Sequence, residues 1–267
     1  MGSYVHGYSE KESCRLADQA GTLTELLHGD TAYPAGSRVL EAGCGVGAQT
    51  LTLARNSPGV RFECMDISRA SLDAARRMAA DRQLTNVSFR QGDLYRLPYR
   101  TGCFDHVFVC FVLEHLADPV KALAGFRRVL KPGGTLTVIE GDHGSYYCHP
   151  RSDAADRVVD CLVKIQAHAG GDALIGRRLY PLLVDAGYAG VAVSPRMVYV
   201  DASRPALIDG FTRRTFTAMV AGVREQALAM GLIGERTWDK GMADLCRTTR
   251  ADGTFCYTFF KGIGTRP

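Results

Sequence analysis

Several short stretches hold the residue types that nucleoside chemistry needs. The first is Glu41-Ala42-Gly43-Cys44-Gly45-Val46-Gly47-Ala48-Gln49-Thr50. Closely spaced glycines let the backbone turn sharply and let a ligand approach it. Alone, such a loop also reads as a plain strand-to-helix turn, and Gly43-x-Gly45-x-x-Ala48 fits a relaxed dinucleotide fingerprint. The second stretch ends in Asp66, whose carboxylate can accept hydrogen bonds from both ribose hydroxyls. NAD enzymes share that feature, so it points to a nucleoside without choosing one. The third is Gln91-Gly92-Asp93-Leu94, where a carboxylate could accept from an exocyclic adenine amine.

A further stretch, Glu140-Gly141-Asp142-His143-Gly144-Ser145-Tyr146-Tyr147-Cys148-His149-Pro150, concentrates acid, imidazole and phenol groups. Histidine titrates near neutrality and suits proton removal from a nucleophile. His143 is therefore the candidate base, with Asp142 or Glu140 to orient it. The plainer reading is a polar loop with its side chains hydrogen-bonded to each other. That plainer reading is preferred for His149, and Asp105-His106 is taken as structural.

The elements that position these residues follow from hydrophobic periodicity. Apolar residues at helical spacing over 10–28 predict an amphipathic helix, broken by Tyr33-Pro34-Ala35-Gly36. Strands are expected at 37–42, 60–67, 87–91, 104–111 and 135–140. Helices are expected at 47–55, 70–82 and 119–130, the last stopped by Lys131-Pro132-Gly133-Gly134. Strands alternating with helices imply a parallel sheet wound by right-handed crossovers. Ligands in such sheets bind beyond the carboxyl ends of the strands, and the residues singled out above all follow strands. Beyond this the pattern is less regular. Helices are expected at 153–169, 177–186 and 235–247, and a long helical stretch at 204–230 broken near Thr215 or Gly222. Strands are expected at 191–200 and 255–262.

The composition excludes several classes. A net charge of +4 over 267 residues, without a Lys/Arg block, argues against a nucleic-acid partner. No apolar run reaches membrane-spanning length, so no membrane association is expected. The nine cysteines are odd in number and lack a CxxC, which favours reduced thiols in a cytoplasmic protein and no metal site. The polar start MGSYVHGYSEKES does not read as a secretory leader.

The ordered set EAGCGVG, MDIS, QGDLYRLP, FDHVFVCFVLEHL and RVLKPGGTLTVIE, spanning about residues 36–141, resembles the class I S-adenosylmethionine (SAM)-dependent methyltransferases. It is similar above all to the small-molecule group of ubiquinone/menaquinone-biosynthesis type. The resemblance implies a doubly wound α/β fold with a seven-stranded, mostly parallel sheet, a Rossmann-like core whose last strand, FCYTFFKG, is antiparallel. It implies SAM as cofactor and S-adenosylhomocysteine as product. By position, Gly43, Gly45 and Gly47 face the methionine part with Glu41 beneath them. Asp66 takes the ribose, Asp93 and Leu94 the adenine, and Phe111 lies where relatives meet the cofactor. Gln49, Ile67 and Tyr8 are counted with the cofactor residues. Tyr4, His6, His115, Tyr146 and Tyr180 are counted with the substrate side, although His115 also reads as a cap and the terminus as a frayed end. Arg177, Arg178 and Arg196 are further possible contacts for an acidic or aromatic acceptor.

The expected organisation is an N-terminal lid and helix over 1–35, a SAM-binding core over 36–145, a helical substrate-side insertion with one core strand over 146–250, and a closing antiparallel strand over 251–267. The expected function is methyl transfer to a small-molecule acceptor, on oxygen or carbon rather than nitrogen, with His143 and Asp142 as the catalytic pair. The alternatives are a NAD-type oxidoreductase on the same loop and a SAM-binding protein without catalysis.

Overall fold

The structure is a computed structural model and describes residues 23–267. Tyr4, His6, Tyr8 and positions 10–22 of the expected leading helix lie outside the described residues. What is described of that helix spans 23–28.

Strand and helix then alternate as the periodicity predicts. The strands are β1 (Arg38–Ala42), β2 (Arg61–Asp66), β3 (Val87–Gln91), β4 (Phe104–Cys110) and β5 (Leu130–Gly141). Helices α1 (Ala48–Asn56), α2 (Arg69–Asp81) and α3 (Pro119–Val129) cross between them. The helix starts follow local chemistry. The Ser68 hydroxyl accepts from the Ser71 N–H at α2, and the Asp118 carboxylate accepts from the Lys121 N–H at α3, with Pro119 in the first turn.

The sheet order is β3-β2-β1-β4-β5-β8, with β7 (Ala189–Val200) along the far side of β8 (Thr254–Thr265). The first five strands run parallel, and β8 is antiparallel to both β5 and β7. From β1 the chain winds one way to β3 and then returns to place β4 on β1's other side. The carboxyl ends of β1 and β4 are thus the switch point at which such sheets take ligands.

The sheet has eight strands rather than the expected seven. The additional one, β6 (Tyr147–His149), is three residues long and pairs with Thr254–Cys256 of β8, beyond the end of β5's own pairing at Phe259. The Lys131–Gly134 segment ends α3 as expected but lies inside β5. The pairing jumps from Phe104–Leu130 to His106–Thr135, so the segment bulges out of the strand, turned by Gly133 at φ +76°.

Side chains alternate between two cores, one on each face of the sheet. Val39, Phe62, Phe108 and Ile139 face Leu23, Leu27, Leu53, helix α4 (Asp153–His168) and helix α6 (Glu235–Arg247). Leu40, Met65, Val107 and Val138 face α3 and helix α5 (Leu179–Asp185). The long stretch after 204 is broken at Gly222 and contains a wide π-helical segment, Ile208–Thr217. There the Thr215 hydroxyl donates to the Gly210 carbonyl over 2.8 Å and competes with the regular ladder. Among the described residues no helix is long and apolar enough to cross a membrane, and no cluster of His, Cys, Asp or Glu suits a metal.

Candidate functional site

The glycine loop joins β1 to α1 and is tied to the end of β2. The N–H groups of Gly43 and Cys44 both donate to the Met65 carbonyl, over 2.7 and 3.0 Å. The Gly45 N–H donates to Asp66 Oδ2 over 2.8 Å, and the Ser68 N–H donates to Oδ1 over the same distance. Gly43, Gly45 and Gly47 all have left-handed backbones, at φ +80°, +53° and +85°. Their surroundings differ. A Cβ on Gly43 would lie 2.4 Å from a Val112 methyl, and one on Gly47 would lie 2.6 Å from the Met78 methyl. A Cβ on Gly45 would meet nothing within 4 Å. The outer glycines therefore serve packing, while the middle one faces open space beside an acidic side chain. That is a cradle suited to a nucleoside-bearing cofactor.

Beneath the loop, buried Glu41 accepts from the Thr50 hydroxyl over 2.6 Å. Burial pushes its pKa up to about 7, against the Thr50 hydrogen bond. Burial also raises the Asp66 pKa, opposed by the backbone N–H groups of Ser68 and Gly45. Ile67 stands 48% exposed beside Asp66, an apolar surface at the mouth of the cradle. The Gly92 N–H donates to the Asp66 carbonyl and brings the Asp93 loop alongside. Asp93 Oδ1 accepts from the Tyr95 N–H over 2.8 Å, so this carboxylate also shapes its own turn. Leu94 packs partly buried on the α3 side of the sheet. Gln49 lies beside His28, whose pKa burial lowers to about 4.

Phe111 closes β4 with a left-handed backbone, φ +56°, which costs a bulky residue energy and is held by its surroundings. The clamp is Glu140, at the end of β5. Its Oε1 accepts from the N–H groups of Val112 and Leu113, over 3.0 and 2.7 Å. Burial and the neighbouring Glu114 carboxylate push the Glu140 pKa well above the usual range.

Around this clamp lies a buried polar cluster. His143 Nδ1 is 2.7 Å from the Tyr257 hydroxyl, and its Nε2 is 3.8 Å from Glu114 Oε2. His115 Nε2 lies 3.6 Å from the other Glu114 oxygen. Gln166 Nε2 on α4 donates to the carbonyl and to Oε2 of Glu114, over 3.0 and 3.1 Å. The structure thus brings His143 and His115 together at Glu114.

Asp142 does not serve His143 as the sequence suggested. Its two oxygens are taken by the Arg177 guanidinium at 2.7 and 2.8 Å, and Oδ1 also caps the Gly144 N–H. An arginine fork satisfies both oxygens at once, which a neighbouring imidazole does not. The Tyr146 hydroxyl donates to Asp156 on α4, and its ring stacks on Phe255, so it braces the wall of the cluster. Tyr180 is 56% exposed on α5, whose buried side joins the other face of the sheet. Arg178 pairs with Asp172 and Arg196 with Asp30. Sequence reasoning did not single out Gln166 or Tyr257. They lie 52 and 114 residues from their partners in the cluster, and no local motif announces them.

Residues 40–138 match a family model described as a methyltransferase domain. The chain is 37% identical over 194 residues to an uncharacterized 37.1 kDa protein in transposon TN4556 of Streptomyces fradiae, covering 70% of this chain and 54% of that one. It is 38% identical over 103 residues to the demethylmenaquinone methyltransferase of Deinococcus radiodurans, covering 39% of this chain and 42% of the relative. The chain thus spans about half the length of the curated relatives it matches. Among solved structures, phosphoethanolamine N-methyltransferase 2 of Haemonchus contortus, in complex with S-adenosyl-L-methionine, superposes with a TM-score of 0.55 at 16% identity, covering 94% of this chain and 52% of that one. At that identity the likeness is one of fold.

Proposed function

We propose that this chain, whose residues 40–138 match a methyltransferase domain, transfers the methyl group of SAM to a small-molecule acceptor, on oxygen or carbon. The observation that carries the reading is Gly45, open above its Cα and hydrogen-bonded to Asp66 at the switch point of the sheet. The family match also replaces the dinucleotide reading of the same loop.

Bound SAM supplies a methyl group already activated by its sulfonium. The residues of the chain hold the reactants in line and keep water out. Asp66 would hold the ribose, Asp93 and Leu94 the adenine, and the Gly43–Gly47 loop the methionine part, with Ile67 and Phe111 among the cofactor contacts. The acceptor is proposed to enter over the His143 cluster, walled by α4 and the segment 146–250. A base helps where the acceptor is a phenol, an alcohol or an acidic carbon, because each must shed a proton. The buried imidazole and carboxylates of this cluster supply groups that can take such a proton.

Purified protein incubated with methyl-labelled SAM and a panel of phenols, hydroxylated ring compounds and β-dicarbonyls tests this. Label is expected on oxygen or carbon of a panel member. Label appearing instead on added protein or nucleic acid contradicts the reading.

A further inference from the structure

We propose that Glu114 takes the proton from the acceptor, and that His143, Tyr257 and Gln166 are positioning residues that hold its carboxylate. The proposal rests on the methyl-transfer reading above and names the proton acceptor within it.

Glu114 stands in the turn Leu113–His115 that follows β4, the same loop whose Val112 packs on Gly43. Its backbone is fixed on both sides. Glu140 clamps the N–H groups before it, and its own carbonyl accepts from the Asp172 N–H over 2.8 Å and from Gln166 over 3.0 Å. The side chain keeps 12% of its surface exposed, so a bound acceptor can reach it. Glu140 is fully buried. Burial first, and then the neighbouring Glu114 carboxylate, drive Glu140 toward its protonated form. Gln166 donates to the Glu114 carboxylate, and His115 and His143 face it.

The proposed role of Glu114 carries one tautomer of His143 with it. Burial and the charges of Glu114 and Asp142 raise the Tyr257 pKa well above the usual phenol value, so its hydroxyl keeps its proton, and in the proposed arrangement it donates to Nδ1. The single proton of a neutral imidazole then sits on Nε2, facing the Glu114 carboxylate. In that tautomer His143 presents a donor toward the site, and the basic atom there is a Glu114 oxygen. Gly141 is part of the arrangement, since a Cβ on it would lie 2.4 Å from the Tyr257 hydroxyl oxygen. In the reaction the acceptor's oxygen or carbon forms the new bond to the methyl carbon, and the carbon–sulfur pair stays on sulfur. The acceptor's proton passes to Glu114, which releases it to solvent with the product.

The test uses the full chain loaded with S-adenosylhomocysteine, with binding followed by calorimetry. Long-range proton–nitrogen NMR correlations of the histidine rings report tautomers, and loss of one set in His143→Gln assigns it. The expected result is an Nε2–H tautomer for His143 that shifts in Tyr257→Phe, and a lower His143 pKa in Glu114→Gln. An Nδ1–H tautomer, or a His143 titration unmoved by Glu114→Gln, overturns the proposal. With an acceptor from the labelling panel, Glu114→Gln should lower kcat by about 10²-fold or more with KM little changed. A larger kcat loss in His143→Gln than in Glu114→Gln also overturns it. Failure to bind S-adenosylhomocysteine would instead count against the methyl-transfer reading, which keeps the two failures distinct.

Discussion

The Gly45 N–H donates to the Asp66 carboxylate over 2.8 Å, across the join between β1 and β2. The same carboxylate accepts from the Ser68 N–H at the start of α2. One side chain, at the carboxyl end of β2, therefore sets the shape of the glycine loop and the entry of the next helix.

Asp66→Ala removes this shared anchor. A hydrogen bond to a charged group is worth about 1.5–3 kcal/mol, so S-adenosylhomocysteine affinity should fall by roughly 10- to 100-fold. Calorimetric titration measures it, and an unchanged affinity removes Asp66 from the ribose role.

Gly43→Ala and Gly45→Ala should separate packing from binding. Both force a side chain into a left-handed backbone, at about 1–2 kcal/mol. Gly43→Ala also drives its methyl into Val112, adding about 1–3 kcal/mol of overpacking. Thermal melts should therefore show the larger loss for Gly43→Ala. Relative to its smaller melting shift, Gly45→Ala should lose more cofactor affinity. Equal melting shifts would mean that Val112 yields freely.

Glu41 predicts a pH dependence. Its folded pKa, about 7, lies above its ordinary value of 4.5. Between these values the folded state holds a proton that the unfolded chain has released. The associated stability is complete at the acid side and is lost as pH rises through about 7. Glu41→Gln keeps an acceptor for Thr50 without the titration. Its stability relative to the parent should rise across that window, as read by denaturant melts at stepped pH. A constant difference would place the charge of Glu41 elsewhere.

Arg177→Ala leaves buried Asp142 without that fork of donors and, among the described residues, with the Gly144 N–H. Because Arg177 is about half exposed, water replaces part of what is lost. A loss of about 1–2 kcal/mol is expected, several degrees in melting temperature for a chain of this size. His143→Ala should keep cofactor affinity, since His143 lies in the Glu114 cluster rather than in the glycine loop. Calorimetry on both variants checks this, and a lost affinity in His143→Ala would tie the cluster to the cofactor itself.

What was legible in the sequence was local. Glu41 to Thr50 is contiguous, and its glycines, its acid and the following helix all read from neighbouring residues. Asp66 stands out because it ends an expected strand, and Asp93 because it follows one closely. The partners of the second cluster were not legible, because they meet only through the sheet. Arg177 reaches Asp142 from 35 residues away and Tyr257 reaches His143 from 114. Asp142 beside His143 in sequence suggested a pair, and the strand-to-turn geometry separates them. β6 escaped notice because three residues carry no periodicity.

The central claim is that the glycine loop holds S-adenosylmethionine. Titrating the purified chain with S-adenosylhomocysteine and, separately, with NAD measures it most directly. Saturable heat with S-adenosylhomocysteine, weakened in Asp66→Ala, and none with NAD is the predicted result. Heat with NAD and none with S-adenosylhomocysteine would contradict it.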